Sequence, residues 1–194
     1  EAGRKGGDRC RSDLEVPFAP LKKDAVLGLI GGVEAMNLAK TPIARSLELV
    51  ESDLGPADGE RVIILITDGE ETCEGNPAAA ISALRGKNTD LRVNIVGYAI
   101  EDAGLADTFA NWADLGNGAY FSADNQDQLA EALTAATQPK FAVVNAEGRI
   151  VARGLAGADP IALPAGPYEV RFGGDAGHAV AAVVKPETET PVSP

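Results

Sequence analysis

The sequence predicts an α/β protein. It would hold a doubly wound, mostly parallel sheet with helices on both faces, followed by a small antiparallel β-sandwich-like unit. Three observations carry that prediction. Arg61 to Ile66 is an almost unbroken apolar run that stops on Thr67-Asp68-Gly69, as expected of a strand covered on both faces. Similar runs alternate with stretches of helical spacing as far as Thr137. After Gln138-Pro139 the helical spacing disappears and period-two stretches take over. The boundaries read as residues 1–137 for the α/β domain, 138–186 for the all-β domain and 187–194 for a disordered tail.

Each element has its own signal. Leu14-Glu-Val-Pro-Phe18 reads as a short strand, placed at an edge because Pro17 cannot donate to a ladder. Asp24 to Met36 has apolar residues at helical spacing, weakened by Gly28, Gly31 and Gly32. Thr41-Pro42 reads as a helix opening, with Thr41 as N-cap and Pro42 at the first helical position. Ile43, Leu47, Val50 and Leu54 would face the core, and Gly55-Pro56 would stop that helix. Beyond the Asp68 strand come a helix from Ala78 to Leu84, opened by Asn76-Pro77, and a buried strand from Leu91 to Tyr98. A helix from Leu105 to Leu115 follows, stopped by Gly116-Asn117-Gly118. A short strand from Ala119 to Ser122 and a helix from Gln126 to Thr137 close the domain. In the β unit, Phe141 to Ala152 gives two strands turning at Asn145 to Gly148. Leu163 to Phe172 gives a third and Ala179 to Val184 a fourth. A unit of about 50 residues is marginal alone and is expected to dock on its neighbour.

Composition removes several function classes. The excess of 29 acidic over 17 basic residues gives a net charge of −12, which argues against nucleic-acid binding. No apolar run approaches the roughly 18 residues that span a bilayer. The one histidine, His178, leaves no His-rich zinc site and makes a Ser-His-Asp triad an unpromising reading; it reads as a surface residue. Phe109 and Trp112 share a helix face and read as core. Glu1 is preceded by neither an initiator Met nor a signal peptide, so the chain reads as a processed or truncated product.

Open α/β sheets bind ligands at the carboxyl ends of their strands, and Asp68 lies there. Thr41-Pro-Ile-Ala44, Leu65-Ile-Thr-Asp-Gly-Glu-Glu-Thr-Cys73, Val96-Gly97 and Gly118-Ala-Tyr-Phe121 together resemble the bacterial von Willebrand factor A domain. The resemblance covers roughly residues 6–137. It implies a metal-ion-dependent adhesion site in which Thr41 and Asp68 are ligands of Mg²⁺ or Mn²⁺, with Ca²⁺ a further candidate. Hydroxyl and carboxylate oxygens suit such hard cations, and an open coordination position would accept a carboxylate from a protein partner. Glu70, Glu71 and Glu74 would form a partner-binding rim or simply a solvated loop.

The family's other ligands lie in an Asp-x-Ser-x-Ser motif, which this sequence lacks. The family's first strand, first helix and second strand are also missing. The first strand would lie beside the Asp68 strand, and its loss would orphan buried backbone groups at roughly 1–3 kcal/mol each. The resemblance thus implies a chain cut in an exposed loop near Arg4-Lys5, its N-terminal fragment either bound as a separate chain or lying ahead of Glu1. In the family's topology Cys10 and Cys73 flank the ligand face. A disulfide between them would stabilise by roughly 3–4 kcal/mol and would imply a periplasmic or extracellular setting in the bacterial envelope; two buried thiols are the alternative.

Three functions follow as expectations. The first is a non-enzymatic, metal-assisted adhesion module. The second is a metal-free envelope scaffold, in which Asp68 only caps its own turn. The third and weakest is a Mg²⁺-dependent phosphoester hydrolase, for which the sequence lacks a glycine-rich phosphate loop. The β unit resembles small sandwich-like modules found beside such domains in envelope proteins, through Leu163-Pro-Ala-Gly-Pro-Tyr168; that likeness implies a fold and no ligand.

Overall fold

A computed structural model describes residues 8–33, 40–54, 61–87, 90–173 and 178–193. Its first part contains helix α1 (Lys23–Gly31), α2 (Ile43–Leu54), strand β1 (Arg61–Thr67), α3 (Pro77–Lys87), β2 (Leu91–Tyr98), α4 (Ala103–Leu115), β3 (Tyr120–Ala123) and α5 (Gln126–Thr137). The three strands form one parallel sheet in the order β1-β2-β3. Its second part holds β4 (Lys140–Asn145), β5 (Ile150–Leu155), β6 (Gly166–Phe172) and β7 (His178–Val184). These make a separate antiparallel sheet in the order β5-β4-β6-β7.

β2, not β1, is the strand buried on both faces. Leu91, Val93 and Ile95 point to one side, where Leu47 and Ile81 (α2, α3) and Phe109 and Ala113 (α4) pack. Val96 points to the other, against Ala132 and Ala136 of α5. Helices therefore cover both faces of the parallel sheet. The turn between α4 and β3 runs close against β2 and depends on small residues: a Cβ at Gly118 would sit 1.9 Å from the Val93 carbonyl oxygen. β1 is only half-buried, with Ile66 51% exposed, because among the described residues it pairs with β2 alone. Among the described residues, a strand that reads as covered on both faces thus lies at the edge of its sheet.

Helix ends agree with local chemistry. Asp102 accepts from Leu105 N, and Asn125 accepts from Asp127 N and Gln128 N. Two early elements differ from the sequence reading. Leu14 to Phe18 is irregular rather than a strand: Pro17 and Pro20 offer no amide donors, and Leu14 and Phe18 lie exposed. α1 stops at Gly31, buries none of its residues and packs on no other described element. The expected continuation of that helix to Met36, and Gly55-Pro56, lie outside the described residues.

In the second sheet Val143, Val170 and Phe172 form a core joined by Phe141, Leu163 and Val180. The tail from 187, for which the sequence predicts disorder, is placed along this sheet. Thr190 Oγ1 donates to Val183 O, and Val192 packs on the core. His178 opens β7 on the surface.

Candidate functional site

Parallel pairing puts the ends of β1, β2 and β3 together, since Thr67 lies beside Gly97 and Tyr98 beside Ala123. The loop from Asp68 to Asn76 leaves from this end. Asp68, Glu70 and Glu74 are exposed, and Glu74 adopts a left-handed backbone (φ 60°). Thr67, buried beneath them, donates its hydroxyl to Gly69 O at 2.7 Å and so tightens the exit from the strand.

Thr41 reaches the same loop from the other side. Its N–H donates to Thr72 Oγ1 at 2.7 Å, and Thr72 N–H donates to Thr41 O at 3.1 Å. The first bond of α2 runs from Ser46 N–H to Pro42 O, which puts Pro42 rather than Thr41 at the cap position. Among the described residues, no hydrogen bond to a protein group uses the Thr41 hydroxyl or the Asp68 carboxylate. Glu71 is different: its two carboxylate oxygens accept from Ala44 N–H at 2.7 Å and Cys73 N–H at 2.6 Å.

Cys10 and Cys73 form a disulfide, with 5.7 Å between their Cα atoms. It ties the N-terminal segment to the loop after β1, while Asp8–Arg45 at 2.8 Å and Ser12–Ser46 at 2.9 Å hold that segment against α2 and Lys40 N–H donates to Arg9 O. The Asp8 carboxyl lies below its usual range because it accepts from Cys10 N–H and, secondarily, from the Arg45 guanidinium.

The donor set tests a cation. Mg²⁺ requires near-octahedral oxygen coordination, and Thr41 and Asp68 would supply two ligands. Among the described residues no group of three or more His, Cys, Asp or Glu is placed to hold a metal ion. The described residues therefore do not make a complete metal site.

The sequence reading missed the role of Glu71, because a carboxylate that serves an amide 27 residues away leaves no local signature. It also missed the buried pair Arg92 and Asn94, whose one signal is two polar residues at alternate positions inside an apolar strand.

The chain is similar to two proteins of Bacillus subtilis (strain 168). It is 44% identical over 94 residues to the uncharacterized protein YwmD, covering 47% of this chain and 42% of that protein. It is 36% identical over 96 residues to the uncharacterized protein YwmC, covering 48% of this chain and 41% of that protein. The chain thus spans less than half the length of these curated relatives. No family model matches it.

Proposed function

We propose that the protein is a non-enzymatic protein-binding module of the von Willebrand factor A type, with its contact face at the carboxyl ends of β1, β2 and β3. The observation that carries this reading is a contrast within one face. The loop and the helix end are fixed by Thr41–Thr72, by Glu71 and by the disulfide, whereas the Thr41 hydroxyl and Asp68 carboxylate keep their lone pairs free of other described groups. Held oxygens without internal partners suit a bound cation or a partner's donors. Under this reading Thr41 and Asp68 contribute two ligands to Mg²⁺ or Mn²⁺. The remaining ligands come from groups other than Thr41 and Asp68, and a partner carboxylate takes the open position.

The reading also expects a further strand beside β1. Among the described residues β1 pairs on one edge alone, with Ile66 exposed, and helix α1 packs on no other element; another strand layer would cover both features. A disulfide agrees with an oxidising compartment such as the periplasm or the extracellular space. Among the described residues no helix is long and apolar enough to cross a membrane.

A second reading is a metal-free scaffold, in which the fold remains and the metal site does not. Mn²⁺ titration of the complete native protein separates the two. Binding that falls at least about tenfold in Asp68→Ala, from loss of a charged ligand, is the expected result. No Mn²⁺ binding by the wild type leaves the scaffold.

A further inference from the structure

The loop after β1 and the start of α2 share one carboxylate. The first turn of α2 contains no acidic residue, and its cap position is Pro42, whose side chain accepts nothing. A helix N-terminus presents unpaired N–H donors and partial positive charge. Glu71 meets both needs from another segment of the chain. Oε2 takes the Ala44 N–H, while Oε1 takes the Cys73 N–H of its own loop. The approach is close: a Cβ at Gly75 would lie 2.4 Å from the Ala44 Cβ and 3.3 Å from Glu71 Oε2. Thr72, between the two bonded residues, makes the reciprocal pair with Thr41.

We propose that Glu71 is the positioning residue of the contact face: its bridging carboxylate locks the loop 68–75 onto the N-terminus of α2 and so sets Asp68 relative to Thr41. The proposal rests on the reading of that face given above. It removes Glu71 from the acidic rim, leaving Glu70 and Glu74 to meet a partner. It also explains why charge alone is not enough here. Each oxygen serves a different N–H, so both must accept. A glutamine has one accepting oxygen, and its amide nitrogen would face the second N–H donor against donor. Glu71→Gln therefore keeps the shape of the side chain and breaks the bridge.

The test uses the complete native protein with three variants: Glu71→Gln, Gly75→Ala and Glu48→Gln. Gly75→Ala wedges the loop from α2 with the carboxylate intact. Glu48→Gln removes an exposed carboxylate from the same helix and controls for charge. Amide hydrogen exchange is read over residues 41–46 and 68–75, and Mn²⁺ affinity is read separately. Glu71→Gln is expected to speed exchange about tenfold or more at Ala44 and Cys73, and at Asp68 and Gly69 as well. Gly75→Ala should reproduce this and Glu48→Gln should not. Exchange that stays at the wild-type rate in both loop variants overturns the lock. Faster exchange at Ala44 and Cys73 with Asp68 and Gly69 unchanged reduces Glu71 to a helix cap and overturns the positioning role. If Glu71→Gln does not fold, Gly75→Ala decides by the same criteria. A wild type that binds no Mn²⁺ fails the metal reading alone, because the exchange at Asp68 still judges the lock.

Discussion

Asn94 ties the central strand to both of its flanks. Its Nδ2 donates to Ala136 O at 2.6 Å, and its Oδ1 accepts from Ala119 N–H at 2.9 Å, all within a side chain 1% exposed. Replacing it with leucine would strand one buried and one half-buried backbone group, so Asn94→Leu should cost about 2–4 kcal/mol, read as a lower urea midpoint. The strand itself was legible in the run from Leu91 to Tyr98, but the task of Asn94 was not, since its partners lie 25 and 42 residues away. Asp8 gives a pH dependence with a definite sign. Its carboxyl is depressed in the folded state, so its contribution is present above the unfolded value and is lost as pH falls through the lowered folded one. Acidification below about pH 4 should first loosen the N-terminal segment, seen as faster exchange at Cys10 N–H, and Asp8→Asn should remove that response.

At the level of elements, alternation of strand and helix was legible from spacing and caps, and α5 begins and ends where its spacing predicts. Neighbours were not legible. The run of β1 is the more continuously apolar of the two, yet β2 is enclosed by two strands and helices on both faces while β1 has one partner among the described residues. The same limit applies to α1, whose residues are apolar and exposed together. The proposed strand beside β1 makes a prediction about Ile66. Ile66→Lys at a truly exposed edge would change stability by less than about 0.5 kcal/mol. With that edge covered by the proposed strand, it should cost more than about 2 kcal/mol, measured by chemical denaturation. A near-zero change there would show that the edge is open.

Across the whole molecule, long-range ties set the arrangement. The disulfide closes a separation of 63 residues, and Cys10→Ser with Cys73→Ser should cost about 4 kcal/mol in the chain-entropy picture. Thiol labelling of the denatured, unreduced protein should find neither cysteine free. The junction between the two sheets is bonded as well. Arg92 Nη2 donates to Gln138 O at 2.9 Å, and Lys140 Nζ bonds Asn117 O. Leu155 at the end of β5 and loop residues Ala156 to Ala158 border an apolar groove against Phe121 and α5. By itself the sequence determined the alternating elements, the change of period at Gln138-Pro139 and the two cysteines, because spacing, caps and composition act over a few residues. Only the tertiary structure decided that β2 is central, that Glu71 serves α2, that Cys10 meets Cys73 and that the tail lies on the second sheet. Those outcomes depend on contacts between distant segments, whose energies are set by packing and hydrogen-bond geometry rather than by any local pattern.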